Sequence, residues 1–348
     1  MMKMSFRWYG DDDPVRIDYI RQIPNIYSVV SAVYSVPVGE VWPREDIKKL
    51  RDTCVNNGMK LDVIESIPVH EDIKLGRGDF KKYIENYKEN IRRCGEVGVK
   101  VICYNFMPVF DWIRTRLDYQ MPDGSSALAY FKEDILKLDP TKLELPGWDS
   151  SYKPEEIKEL IDAYKMLGEE GLWRNLQHFL QEVVPVAKEA GLVMAIHPDD
   201  PPWMNFDIPR IITCEKNLER FLKLVDDRAN GLTLCIGSLG CAASNDVVKI
   251  MDKFSKQGRI HFVHLRNIKI HADGSFNESG HLSKDGSLDF TKVIEVLVKN
   301  DYDGYARPDH GRFIWGETGK PGYGLYDRAL GLTYINGIYE ALTKVYKK

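Results

Sequence analysis

Leu192-Val193-Met194-Ala195-Ile196-His197 is the stretch whose reading decides the fold. It follows Ala190-Gly191, the glycine stop expected where a helix gives way to a strand, and it is a short apolar run of strand length. Side chains alternate faces along a strand, so Leu192, Met194 and Ile196 share one face while Val193, Ala195 and His197 share the other. The bulky aliphatic face belongs against a layer of helices, which leaves the histidine pointing away from that layer at the C-terminal end of the strand.

Outward from this stretch the pattern repeats. Met4-Tyr9, Ile26-Ala32, Leu61-Ser66 and Val99-Asn105 precede it, and Leu232-Gly237, Ile260-Arg266 and Tyr305-Asp309 follow it, which gives eight candidate strands. Between them lie segments with apolar residues at helical spacing, such as Phe80, Tyr83, Ile84, Tyr87, Ile91, then Leu218, Phe221, Leu222, Val225, then Phe290, Val293, Ile294, Leu297. Asn57-Gly58, Val97-Gly98 and Asn230-Gly231 are read as further helix stops. Strict alternation predicts parallel strands with crossover helices, and eight such strands predict an α/β fold, a (β/α)8 TIM barrel over residues 1–348 as a single domain. A doubly wound open sheet would announce itself by a Gly-rich phosphate loop after the first strand, and Met4-Tyr9 is followed by none. The connection after the fourth strand is long. It contains Pro122-Asp123-Gly124 and expected helices around Leu128-Leu138 and Glu155-Leu167, and residues 106–171 are read as a lid or subunit-contact insertion over the barrel mouth.

Composition narrows the function. The chain is 43% hydrophobic and 29% charged, enough for a sizeable core. A net charge of -4 with no basic stripe argues against a nucleic-acid partner. Met1 to Gly10 holds no signal-like apolar run, and nowhere do eighteen apolar residues follow one another, so the expectation is a cytoplasmic protein with no membrane partner. Six cysteines (Cys54, Cys94, Cys103, Cys214, Cys235, Cys241) lack a close CxxC pair and are expected as free thiols.

Strand phase also gathers chemistry. Cys235 shares a face with Thr233 and Gly237, His264 with Phe262 and Arg266, and Arg307 falls in phase with Asp309. His197, Cys235, His264 and Asp309 therefore fall on the inner face at the C-terminal ends of strands five to eight, where barrels build active sites. Taken singly, a cysteine in an apolar strand is a small hydrophobe, a histidine is a hydrogen-bonded side chain, and an aspartate is a cap. Together they are costly to bury unless a cation neutralises them, and the mixture of nitrogen, sulfur and oxygen donors suits Mn, Fe, Co or Zn better than Mg or Ca. Arg266 and Arg307 are candidates to clamp a substrate carboxylate, with a salt bridge to Asp309 as an equal alternative for Arg307. His261 is out of phase and expected against the helices, His178 is read as structural in a helix, and His70, His271 and His281 are read as exposed loop residues.

His197-Pro198-Asp199-Asp200-Pro201-Pro202, Gly231-Leu232-Thr233-Leu234-Cys235 with Gly237-Ser238-Leu239-Gly240, His264-Leu265-Arg266-Asn267 and Arg307-Pro308-Asp309-His310-Gly311 closely resemble the mannonate dehydratase family, as do Pro321-Gly322-Tyr323-Gly324 and Arg328-Ala329-Leu330-Gly331. Several linked motifs in the right order are far more specific than any one of them. The resemblance implies a barrel hydro-lyase that uses Mn2+ or Fe2+ to convert D-mannonate to 2-keto-3-deoxy-D-gluconate and water in hexuronate (glucuronate) breakdown. It implies His197, Cys235, His264 and Asp309 as metal ligands and His310 and Tyr323 as the acid/base pair. For a tyrosine to act as base, its pKa must be lowered by nearby positive charge. A homo-oligomer, a dimer, is expected. The alternatives are a metal-dependent sugar isomerase or epimerase on the same barrel, and an inactive barrel that senses a sugar acid.

Overall fold

The computed structural model describes residues 1–142, 145–146 and 153–347. Its centre is a closed barrel of strands β1 (Lys3–Arg7), β2 (Ser28–Ser31), β3 (Lys60–Glu65), β4 (Val101–Tyr104), β5 (Val193–Ile196), β6 (Asn230–Cys235), β7 (Ile260–Leu265) and β8 (Tyr305–Pro308). Each strand pairs in parallel with its sequence neighbours, and β8 closes onto β1. All eight fall inside or beside the stretches expected from the sequence, with ends that differ by a residue or two.

The two faces separate as the alternation requires. Val30, Val63, Val101, Cys103, Ala195, Phe262 and Tyr305 pack together inside the barrel and fill it. Met194, Ile196, Leu232, Leu234, Val263, Leu265 and Ala306 belong instead to the larger core, with helix residues such as Leu218, Phe221, Val293 and Leu297. The surrounding helices include Arg44–Asn56, Phe80–Glu96, Glu215–Leu224, Val247–Lys256, Phe290–Lys299 and Tyr326–Tyr346. Asp246 and Asp289 begin two of them by accepting hydrogen bonds from the Lys249 and Lys292 backbone N–H groups, which satisfies donors that a helix start leaves open. Truncating a fully buried ring here, such as Phe221, would cost about 3–5 kcal/mol through lost burial and an unfilled cavity.

The long connection departs from the expectation. Leu128 lies in a strand, Ser126–Tyr130, and only Lys132–Ile135 is helical in the span around Leu128-Leu138. The expected helix Glu155-Leu167 is the first part of Pro154–Glu189, which kinks at Gly168 (φ 64°). A second sheet, unforeseen, runs in the order Asn267–Ile270, Phe276–Ser279, Ser126–Tyr130, Arg116–Gln120, antiparallel throughout. It joins one hairpin from the connection after β4 to another from the connection after β7. Both hairpins turn on the same tripeptide, Asp123-Gly124-Ser125 and Asp273-Gly274-Ser275, whose aspartates accept from the serine N–H and hydroxyl. Their glycines take φ of 83° and 81°, a region side chains disfavour. Tyr130 stacks on Phe276 where the hairpins meet, with ring centres 5.4 Å apart. Tertiary pairing overrode the helical reading of Leu128 because Ala127, Leu128, Ala129 and Tyr130 are all buried in this sheet.

Gly231 is also not a helix stop. It lies within β6, and a Cβ there would stand 2.3 Å from the His261 ring.

Candidate metal centre

His197 stands one residue past β5, Cys235 ends β6, His264 lies in β7, and Asp309 follows β8 directly. Register makes Cys235 the neighbour of His264, and His264 the neighbour of Arg307. One donor atom from each of the four candidate ligands lies within 4.8 Å of the others. His197 Nε2 is 3.1 Å from His264 Nδ1, Asp309 Oδ2 is 3.7 Å from His264 Nδ1, and Cys235 Sγ is 3.7 Å from Asp309 Oδ2. The four side chains expected from strand phase are brought together.

Surrounding groups prepare them for a cation. His197 Nδ1 lies 2.7 Å from the Pro198 carbonyl oxygen, which can only accept, so Nδ1 carries a proton and Nε2 is the nitrogen that faces the cluster. Cys235 Sγ accepts from the Ser238 N–H and hydroxyl at 3.4 and 3.1 Å. Burial pushes the Cys235 thiol up, but Arg266 and hydrogen bonds from His197 and His264 outweigh it and hold the thiol well below its ordinary value. Burial likewise raises Asp309, and Arg307, His310, His264 and Arg266 hold it well below the usual carboxylate range. The resulting pair of anions raises His197 to about 9 against the opposing effect of burial. Two imidazoles, a thiolate and a carboxylate in one buried cluster fit a borderline divalent ion. His264 Nε2 lies 3.5 Å from Glu65 Oε2, which pairs with Arg7 at 3.1 Å. Nε2 also accepts from Arg307 Nε at 3.1 Å, so Nδ1 is the ring nitrogen that faces the other three donors.

The cluster opens onto a cavity of about 210 Å3 lined by Arg7, Tyr9, Glu65, Asn105, Trp112 and Tyr323 together with His197, Arg307, Asp309 and His310. Arg307 donates to Glu65 at 2.9 Å and pairs with Asp309 at 2.7 Å. Its Nη1 has no hydrogen-bond partner among the described residues. Arg266, in phase with His264, does not line the cavity. Its guanidinium lies 3.1 Å from Asp309, 2.6 Å from Glu278 and 2.8 Å from Asp200. Arg266 and these partners, with Arg114 at 3.0 Å from Asp200 and 2.8 Å from Glu278, form a buried five-charge cluster that ties both hairpins to the barrel rim.

His310 Nε2 is 3.1 Å from the Tyr323 hydroxyl, and His310 Nδ1 is 3.1 Å from Glu278 Oε1. Tyr323 differs from the expectation for a base. Burial and Asp309 raise its pKa, against the pull of Arg307 and Arg7, so it stands as a neutral phenol donating to His310. Of the remaining histidines, His261 bonds the Arg228 carbonyl at 2.8 Å and His178 packs edge-on against Phe80 in its helix. His70 caps the helix Glu71–Leu75 by accepting from the Asp72 N–H, and His271 pairs with Asn277 at 2.9 Å. His281, expected exposed, is 2% exposed, because the close passage of Gly331 covers its ring.

Sequence reasoning missed Arg7, Glu65, Asn105 and Glu278. Three had a signal: Arg7 ends β1, Glu65 ends β3, and Asn105 follows β4, so the alternation applied to β5 through β8 would have aimed them inward. Glu278 had none, since it arrives on the unforeseen hairpin.

A family model described as D-mannonate dehydratase (UxuA) matches residues 2–348. The chain is 53% identical over 348 residues to the mannonate dehydratase of Streptococcus uberis, covering 99% of this chain and 100% of that one. It is 52% identical over 344 residues to mannonate dehydratase 2 of Halalkalibacterium halodurans, covering 98% and 100%. The crystal structure of mannonate dehydratase from Streptococcus suis serotype2 superposes with a TM-score of 0.94 at 49% identity, covering 99% of this chain and 96% of that one. Similarity of this extent, end to end, leaves one conclusion: the chain belongs to the D-mannonate dehydratase family.

Proposed function

We propose that this protein is a hydro-lyase that removes water from D-mannonate to give 2-keto-3-deoxy-D-gluconate, with a divalent ion, Mn2+ or Fe2+, held by His197, Cys235, His264 and Asp309. The observation that carries the reading is this clustered donor set, whose His197 and Asp309 line the same cavity as the His310–Tyr323 pair. Membership of the family supports it.

The reaction breaks the C2–H bond and the C3–O bond of a sugar acid. The bound ion would supply Lewis-acid stabilisation of the charge that develops next to the substrate carboxylate. Arg307, which lines the cavity, orients that carboxylate. The His310–Tyr323 pair accepts the proton from C2 and returns one to the departing C3 hydroxyl, so one water leaves for each proton cycled. The enol left behind moves its hydroxyl proton to C3, which yields the 2-keto-3-deoxy acid. Arg266 serves this chemistry from behind, holding Asp309.

The same reading makes the protein a cytoplasmic enzyme of hexuronate (glucuronate) breakdown that works as a homodimer, with residues 106–171 as part of a lid. Among the described residues no helix is long and apolar enough to cross a membrane. The test is to strip the purified protein of metal, reload it with Mn2+, incubate it with D-mannonate and related aldonic acids, and weigh the products. Loss of one water supports the reading. A product of unchanged mass would make it an isomerase or epimerase, and tight binding without turnover would make it a sensor.

A further inference from the structure

We propose that Glu278 is a positioning residue for the acid/base pair: it fixes the His310 proton on Nδ1 and so keeps the Nε2 lone pair turned to Tyr323 and the cavity. The inference rests on the reading of His310 as half of that pair. A neutral imidazole carries one N–H, and the partner on each side decides where. Glu278 Oε1 lies 3.1 Å from Nδ1. That oxygen also receives Arg114 Nη2 at 2.8 Å and Arg266 Nη1 at 2.6 Å. Held by two guanidiniums, the carboxyl is ionised, its pKa well below the ordinary value although burial opposes this. An ionised carboxylate can only accept. The other tautomer would aim a nitrogen lone pair at it across 3.1 Å, in a place where Glu278 is fully buried.

The ring has little freedom to escape this choice. Gly322 lies so near that a Cβ there would stand 3.3 Å from His310 Cγ, and on the far side the Tyr323 hydroxyl meets Nε2 at 3.1 Å. The result is a chain from the phenol through the imidazole to the carboxylate. When Nε2 takes up a proton, the ring becomes an imidazolium whose second N–H already faces a negative charge. When it gives that proton up, the same Nδ1–H tautomer returns, so each cycle restores the starting state. Glu278 is brought in by the hairpin strand Phe276–Ser279, and Arg266 spans from it to Asp309. The hairpin, the acid/base pair and a metal ligand therefore share one hydrogen-bonded network.

The direct test needs no variant of Glu278. The full chain, labelled with 15N-histidine and loaded with diamagnetic Zn2+, is examined by two-bond 1H–15N correlation, with His310→Asn identifying the His310 signals. The expected result is a protonated Nδ1 and an unprotonated Nε2; a protonated Nε2 with a bare Nδ1 overturns the proposal. In the Mn2+ enzyme, Glu278→Gln is expected to lower kcat for D-mannonate by about 10–100-fold while KM and bound metal stay within about twofold, and an unchanged kcat counts against it equally. Glu278→Asp, which keeps a charge for both arginines but withdraws it from His310, is expected to lower kcat in a protein that melts as the parent does, and full activity in it also overturns the proposal. If His310→Asn were itself fully active, the acid/base reading would fail on its own, whatever the tautomer.

Discussion

Replacing Asp200 by asparagine tests the cluster that fastens the second sheet to the barrel. Asp200 is 3% exposed and accepts three hydrogen bonds from cations, at 3.0 and 3.0 Å from Arg114 and 2.8 Å from Arg266. Asparagine keeps the shape but turns one acceptor into a donor facing guanidinium N–H groups, and it leaves Arg114 paired with Glu278, which Arg266 shares while also holding Asp309. Breaking a buried ion pair from one side costs about 3–5 kcal/mol. With an unfolding entropy of about 2.1 cal/mol/K per residue, a chain of 348 residues converts that loss to roughly 4–7 °C in Tm. Differential scanning calorimetry of parent and D200N at pH 7, with metal removed from both, measures it. For contrast, Glu170→Gln, which breaks an exposed pair with Arg220, should leave Tm within about 1 °C. A D200N melting temperature equal to or above that of the parent would show that the cluster does not hold the second sheet to the barrel, and the reasoning would be wrong.

The same carboxyls set an acid limit. Asp200 and Glu278 have folded pKa values below their unfolded ones, because Arg114 and Arg266 at Asp200, and Arg266, His310 and Arg114 at Glu278, outweigh burial. Such groups stabilise fully above the unfolded values of about 3.9 and 4.3, and that stability is lost as pH falls through the folded values. Urea midpoints should therefore hold from pH 7 to about 5.5 and drop below about pH 4.5, and a midpoint that stayed level to pH 3 would contradict this. Cys235→Ser removes the thiolate donor, so metal content by mass spectrometry should fall by more than the ~10–100-fold that follows loss of a group which only orients a ligand, with circular dichroism unchanged. His310→Asn and Tyr323→Phe should each retain metal while turnover drops about 10²–10⁴-fold; full activity in either removes that residue from the chemistry. His197, raised to about 9, must shed its proton to bind an ion, so Mn2+ affinity by calorimetry should rise about tenfold per pH unit below 9, and a pH-independent affinity would show that the imidazole is already bare.

The barrel was legible because its signal is local and repeated. Leu192, Met194 and Ile196 on one face and Ala195 and His197 on the other suffice to orient β5, and three further strands read the same way aim Cys235, His264 and Asp309 inward. The second sheet was not legible in this manner. Leu128 and its neighbours fit a helix locally, and pairing with Arg116–Gln120 on one side and with Phe276 and Asn277, distant in sequence, on the other makes them a strand. Its two turns were readable, since Asp-Gly-Ser recurs at Asp123 and Asp273, but a turn does not say which strand its hairpin will join. Arg266 shows the limit of phase: alternation aims it correctly, yet whether it meets substrate or its own neighbours depends on Glu278 and Asp200, which arrive from other connections.

Because the cover of the mouth is stitched from two remote hairpins, the chain meets a hazard while it is being made. The edge Ser126–Tyr130 leaves the ribosome long before Phe276–Ser279 exists to pair with it. At about 5–20 residues per second, the wait is on the order of ten seconds. During that interval a buried-type strand containing Ala127, Leu128 and Ala129 has open backbone groups that any similar nascent chain could occupy. Conditions that slow translation after β5 should therefore raise the fraction lost to aggregates, without any change to the finished enzyme.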